Sequence, residues 1–553
     1  MKSQYLLLTL VAVLQFVIPV QLGAQERTIT DDDILPGQTV TWSADTTYLL
    51  SGRVFVDSLA TLTIEAGTVI KGLPGDSIDA SVLIVARGGK IMAEGTAEKP
   101  IIFTASSDDV TNPVDVAYDQ KGLWGGVIIL GRAPINRPAG QHNIEGIPTD
   151  EPRGLYGGDD PEDNSGVLRY VSIRHGGISI GFGNEINGLT MGGVGRGTEI
   201  DYVEVIANLD DGYEWFGGTV NCKHLISAFC GDDSFDHDEG MNCKMQFLFA
   251  IQHAEFGNMC GEHDGAPSSA LTTEPNANVV IYNATYLGSG QNSSNSDQEN
   301  LFKIRENWGG EYNNCIFGDY NGYGLDISSS YSPNDSKDRL DAGELKFLNN
   351  IWFKINGFTL ADSIGKEDYA QAYLQDAAHG NVEADPMLHG ISRTQDGNLD
   401  PRPMAGSPAF DNLAAIPNDS FFENVDYKGA FGPSDMWAGS WTALYHYGIL
   451  SDNVLPVEEP KQAAIPRAFD LQQNYPNPFN PATEIRYTIP ENGHVSLSVY
   501  TITGQKVGTL VNTYKNAGSY HITWNAAGMA SGYYFYRLEM NGRSMTRKML
   551  YVK

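Results

Sequence analysis

A chain of 553 residues, 41% hydrophobic and 19% charged, has the length and apolar content for more than one folded domain. Its formal net charge of −32 disfavours nucleic acid and anionic membrane as partners and suits divalent cations or neutral ligands. The 61 glycines point to many tight turns rather than long helices.

Residues 1–24 read as a secretory signal: Lys2 is the basic start, Tyr5 to Val20 the apolar stretch, and Leu22-Gly23-Ala24 the cleavage site. No later segment reaches the ~18 apolar residues of a membrane helix, so no transmembrane span is expected in the mature chain. Residues 26–105 then alternate β-prone runs with turns, as in Thr61 to Ile70, Ser81 to Ala86 and Lys99 to Thr104. Leu123 to Leu130 reads as a buried strand after a Gly turn, and residues 136–166 form an acidic Gly/Pro loop. Leu168 to Ile173 and Ile200 to Val205, 32 residues apart, agree at their apolar positions.

The stretch from Leu209 to Gly265 repeats itself. Asp210-Asp211-Gly212-Tyr213-Glu214 returns as Asp232-Asp233-Ser234-Phe235-Asp236, 22 residues on. Asn221-Cys222-Lys223 returns as Asn242-Cys243-Lys244, and Cys230-Gly231-Asp232 loosely as Cys260-Gly261-Glu262. Short β-prone repeats of this period mark a solenoid, in which equivalent residues stack about 4.8 Å apart. The acidic residues then form a column on one face. The cysteines pair as 222–243 and 230–260 on this stacking, because a rung spacing falls within the Cα separation of a disulfide; Cys315 is left over. The other reading of the cysteines is a stack of small buried thiols.

Three chemistries suit such a column. Ca²⁺ takes six to eight oxygen ligands, and stacked carboxylates that repel one another would be relieved by it. Asp211, Asp236, Asp238 and Glu239 are the expected metal ligands, from a supply that also includes Asp210, Glu214, Asp232, Asp233, Glu262 and Asp264. A glycan-cleaving enzyme needs paired carboxylates; Asp210, Asp232 and Asp233 would be the acid/base set, His263 would orient one of them, and Lys303 and Arg305 would hold an anionic sugar. The structural alternative makes the repeated Asp residues turn caps. Trp124, Trp215 and Trp308 read as core, and His237, His253 and His263 lack zinc-site spacing. Asn283, Asn314 and Asn350 each precede an aromatic residue by three, which suggests a stacked Asn ladder.

Residues 451–468 lack periodicity and read as a linker. Residues 469–553 read as a small β-sandwich, with strands at Thr483 to Ile489, Val495 to Tyr500, Ser519 to Trp524, Tyr533 to Met540 and Ser544 to Val552.

Two resemblances attach to these residues. The opening strands, Lys121 to Gly126, and an Asp385-Pro386 turn leading to Gly406-Ser407-Pro408-Ala409 resemble secreted bacterial right-handed parallel β-helix proteins of the pectin-lyase-like type. The Asp-Asp-x order also has a likeness to polygalacturonases, though the Gly-His-Gly expected there is interrupted. The tail resembles the C-terminal sorting domain of type IX secretion cargo, through the QNYPNPFNP opening, Tyr500 to Gly504, Gly532-Tyr533-Tyr534 and Lys548 to Lys553. That resemblance implies the type IX machinery as a partner and a secreted or outer-membrane-surface location. The expectation is therefore an all-β protein: a signal peptide (1–24), a right-handed parallel β-helix (25–450), a linker (451–468) and an immunoglobulin-like sorting sandwich (469–553). It is expected to bind a glycan or another surface polymer, with Ca²⁺ on the acidic face; the alternative is a polysaccharide hydrolase or lyase on the same face.

Overall fold

A computed structural model describes residues 25–75, 79–181, 184–297, 299–451, 469–474, 476–490, 493–515 and 518–553. The expected signal peptide, and the expected linker beyond its first residue, lie outside the described residues. The chain divides into two units, residues 1–456 and 457–553.

In the first unit the strands repeat once per coil and pair in parallel with their equivalents in the next coil, which is a parallel β-helix. One wall is a nine-stranded sheet stacked in chain order: Arg53–Val56, Val82–Val85, Val127–Leu130, Leu189–Gly192, Tyr213–Phe216, Phe235–Asp238, Gly261–Asp264, Asn300–Arg305 and Tyr323–Ile327. The two-residue alternation of a strand splits each one between core and outer face. The inward columns are Tyr213, Phe235, Phe302 and Leu325, and beside them Trp215, His237, His263, Ile304 and Ile327, all fully buried. Each such apolar side chain contributes about 1.5–3 kcal/mol by leaving water. Trp124, Trp215 and Trp308 are all core residues and present no face to a sugar.

Eighteen of the other described strands form a sheet that turns a corner once per coil. The corner residues Tyr170, Tyr202, His224, Phe247, Asn283, Asn314 and Asn349 have φ between 47° and 61°. This left-handed conformation costs a non-glycine residue about 1–2 kcal/mol. Two devices offset the cost. The first four rings stack on one another, with centroids 4.4, 4.1 and 4.9 Å apart. The three Asn side chains bond to the later segment that wraps this corner: Asn283 Nδ2 donates to Tyr427 O at 2.7 Å, Asn314 Nδ2 to Ala414 O at 2.9 Å and Asn349 Nδ2 to Asn412 O at 2.9 Å. The third rung of the expected Asn ladder is thus Asn349 rather than Asn350, because Phe317 pairs with Trp352 and not with Phe353. Asn350 sits one residue further on, where its Oδ1 accepts the Cys315 N–H at 2.8 Å.

Register also overturns the expected disulfides. Cys222 lies beside Met245, two residues past Cys243. Phe235 lies beside Gly261, so the rung neighbour of Cys260 is Ser234 and not Cys230. All five cysteines are free and buried. Burial pushes the thiols of Cys222, Cys243 and Cys260 well up, and that of Cys315 to about 12. A thiol reagent should therefore find no reactive cysteine in the native protein. Unfolding without reductant should release five; a count of three or one would restore a disulfide.

The second unit holds two antiparallel sheets, as a small sandwich requires. One joins Asp470–Leu471, Ala482–Ile489 and Gly518–Asn525; the other joins Lys506–Lys515, Gly493–Thr501, Gly532–Met540 and Arg543–Tyr551. The Lys506–Lys515 strand was not expected. It pairs with Gly493–Thr501 across the Thr501–Gly504 turn. Gly532, Tyr533 and Tyr534 pair with Tyr551, Leu550 and Met549, so the two halves of the expected sorting signal lie on one ladder. Lys548 Nζ sits 4.8 Å over the Tyr533 ring, and the Lys553 N–H donates to Ser531 Oγ at 3.1 Å.

Candidate functional site: an acidic column on the nine-stranded face

The outer side of this wall changes character along the solenoid. Over the early strands it is apolar: Phe55, Ile84, Ile128, Leu130 and Phe216 pack under Ile135, Ile144, Ile147 and Tyr156, which come from the long insertion after Leu130. From the fifth strand onward it is charged. The register sets Thr190, Glu214, Asp236, Glu262, Lys303 and Asp326 in one outward column. Asp264 and Arg305 pair in the next.

A second acidic line lies in the turn just before these strands. The Asp211 N–H donates to Asn187 Oδ1 at 3.2 Å, the Asp233 N–H to Asp211 Oδ1 at 2.8 Å, and the Met259 N–H to Asp233 Oδ1 at 2.5 Å. Each side chain caps the turn of the next coil, so the expected vertical alignment of Asp211 and Asp233 is met. The capping also explains why the turn repeats an Asn or Asp at that position.

The two lines meet at one point. Carboxylate oxygens of Asp211, Glu214 and Asp236 all lie within 4.8 Å of one another, and those of Asp210, Asp211 and Asp232 do the same. Asp211, Glu214 and Asp236 are more than nine-tenths buried, and Asp236 Oδ1 has no hydrogen-bond partner among the described residues. Glu214 accepts a bond from Asn187 Nδ2. Burial first, and neighbouring carboxylates second, push Asp211, Glu214, Asp236 and Asp238 well above the usual carboxylate range. The two trios offer an oxygen set of the kind a hard divalent cation takes.

Beyond Asp236 the column is neutralised. Arg305 grips Asp264 with two bonds of 2.6 and 2.8 Å and reaches Glu262 at 3.2 Å. Lys366 and Lys303 lie 2.7 and 3.8 Å from Asp326. These cations line a pocket of about 450 Å³ together with Glu306, Glu367, Tyr331 and Tyr369. Burial and the nearby acids hold both Glu306 and Glu367 at about 7.

The expected residues therefore scatter more than the repeat suggested. Asp211, Asp236 and Asp238 share the face. Glu239 does not join them: its two oxygens are taken by Arg137 Nε and by Tyr156 O–H, the latter at 2.7 Å. Asp210 and Asp232 flank Asp211, while Asp233 is 2% exposed and spends one oxygen on the Met259 turn. His263 points into the core, where it stacks on His237 and Trp308 and bonds Tyr312 O–H at 2.7 Å, so it cannot orient a carboxylate on the outer face. Asn187, Asp326, Lys366, Glu306 and Glu367 were missed. Asn187-Gly188-Leu189 carries the same turn pattern as Asp211-Gly212-Tyr213, 24 residues earlier, and was a signal in plain view. The pocket residues had none, since they come from two coils and a later loop.

A solenoid of stacked parallel strands with a charged outer wall defines a parallel β-helix protein. Residues 35–386 match the pectate-lyase-like β-helix domain family, and the chain belongs to it. Residues 473–553 match the secretion system C-terminal sorting domain. The chain is thus type IX secretion cargo, sent to the cell surface or the medium. No helix among the described residues is long and apolar enough to cross a membrane. Among curated proteins, none matches the chain.

Proposed function

We propose that this protein binds an acidic polysaccharide along its nine-stranded face, through a calcium ion held by Asp211, Glu214 and Asp236. The observation that carries this reading is the buried carboxylate trio with an unpartnered Asp236 oxygen. Three carboxylates supply up to six oxygens, and Ca²⁺ takes six to eight, leaving room for water or a polymer oxygen. Two to four coils later Lys303, Arg305 and Lys366 bring positive charge to the same face, which favours a ligand that carries negative charge of its own. A long parallel wall suits an extended chain.

The test is binding of polygalacturonate, alginate and a neutral glucan to the mature protein, in calcium and in chelator. Acidic polymers should bind in calcium, at least tenfold more weakly in chelator, and more weakly still with Asp211→Asn/Asp236→Asn. Equal binding in chelator, or preference for the neutral glucan, defeats the proposal. A second reading, a hydrolase or lyase on this face, has one supporting observation: Glu306 and Glu367, both held at about 7, line the same cationic pocket. New reducing ends or unsaturated products, lost in Glu306→Gln or Glu367→Gln, would decide for it.

A further inference from the structure

A second cavity on the solenoid, of about 400 Å³, opens where the turns after Arg53–Val56, Val82–Val85 and Val127–Leu130 meet the covering insertion. Three arginines line it, Arg87, Arg132 and Arg153, in a chain whose net charge is −32. Their partners differ. Arg153 is saturated: it donates to Asp31 at 2.9 and 2.8 Å and to Glu151 at 2.8 Å, and lies 3.7 Å from Asp57. Among the described residues Arg87 donates to two neutral oxygens, Gln141 Oε1 at 2.9 Å and Gly157 O at 2.8 Å. The Arg132 guanidinium is exposed and makes no ion pair among the described residues.

Arg87 and Arg132 are also close enough to repel. Burial and the Arg132 charge pull the Arg87 guanidinium below its ordinary value. At Gly88, the next residue after Arg87, a Cβ would come within 2.4 Å of Arg132 Nη2, so the Arg132 guanidinium lies against that turn. The carboxylates nearby do not cancel the pair. Asp57 faces Arg153, Asp159 lies exposed at the rim without an ion pair among the described residues, and Asp163 is buried behind and held up by burial. Two guanidiniums lining one cavity repel, the buried Asp163 offsets that in part, and a bound anion removes the rest. Their planar forks match an oxyanion in two-point contact.

We infer that Arg87 and Arg132 form an oxyanion subsite that takes the carboxylate or sulfate ester of an acidic polysaccharide. The subsite shares the solenoid with the proposed cation site but not its chemistry, since it needs no metal. That difference separates the two tests. Titrations in chelator remove the calcium-dependent mode and leave this one. Oligogalacturonate and a sulfated oligosaccharide are titrated into the mature protein in chelator, beside a neutral oligosaccharide. At least one of the two anionic probes should bind and weaken as salt is raised, and the tighter of the two identifies the group recognised. Arg132→Gln, at an exposed position, should weaken binding at least fivefold. Arg87→Gln/Arg132→Gln should abolish it with an unchanged circular dichroism spectrum. No binding of either anion in chelator overturns the inference, as does binding that Arg132→Gln leaves intact. Loss of calcium-dependent binding with this subsite intact would sink only the cation proposal.

Discussion

In chelator, the melting temperature of the protein should fall as pH rises through the raised range of four buried carboxyls, and calcium should remove that fall. Asp211, Glu214, Asp236 and Asp238 are held above the ordinary carboxylate range, chiefly by burial and then by one another. A carboxyl raised on folding binds more protons in the folded state than in the unfolded one. Its protonated form therefore favours the fold at low pH, and that stability is lost as pH climbs from about 4 through the raised folded value. A cation among the same oxygens replaces the protons, so its affinity should rise with pH. At a hundredfold excess over its dissociation constant it adds about 2.7 kcal/mol. The buried rings of His237 and His263 act in the opposite sense. Burial lowers both, His237 with help from His263, so their stability is lost as pH falls below about 6.5. Glu306 and Glu367, held at about 7, add to the alkaline limb, and Lys428, lowered by burial to about 8, opposes it. Asp211→Asn/Asp236→Asn should make that limb shallower and abolish the calcium shift. A chelator-indifferent melting temperature with a flat alkaline limb would remove the cation from this face.

The second large effect is expected at Glu204, far from the acidic column. Its side chain is fully buried and takes bonds from Ser172 Oγ at 2.6 Å, from the Ala443 N–H at 2.6 Å and from the Leu444 N–H at 3.1 Å. The last two are the free donors at the start of the short helix Ala443–His446. Arg174, 2% exposed, is the nearby cation that offsets the Glu204 charge. Glu204→Ala takes the carboxylate from beside that cation, whose Nε keeps its 2.9 Å bond to Ser172 Oγ, and leaves two N–H groups without a partner, at a cost of about 3–5 kcal/mol. It should also release the wrapping segment, which covers the corner with Tyr427, Trp437, Trp441 and Leu444. Limited proteolysis should then cut between residues 412 and 445 before the coils. Glu204→Gln keeps an acceptor and should cost less. A Glu204→Ala protein within about 1 kcal/mol of the parent, and equally resistant to protease, would show that the clamp is not needed.

Coil length separates what could be read from the chain from what could not. Tyr213 and Phe235 are 22 residues apart, and there the eye finds the repeat and the register agrees. The following coils take 26 and 41 residues, because loops enter between strands. Matching short motifs fails across such insertions. It paired Cys230 with Cys260 and set Asn350 in a place that belongs to Asn349. The glycan-cleaving reading placed His263 outside, although in the strand Gly261–Asp264 the outward positions fall to Glu262 and Asp264.

Local chemistry by itself determined the class of architecture. Two-residue alternation and turn residues specify strands and corners, and the tail motifs carry the secretion address in residues adjacent along the chain. Which carboxylates meet was decided only by stacking. Side chains such as Asp211, Glu214 and Asp236 come within 4.8 Å across a coil boundary, and Glu239, three residues on from Asp236, turns away to Arg137 and Tyr156. Hydrogen bonds between rungs set that registry, and they depend on loops whose lengths carry no periodic signal.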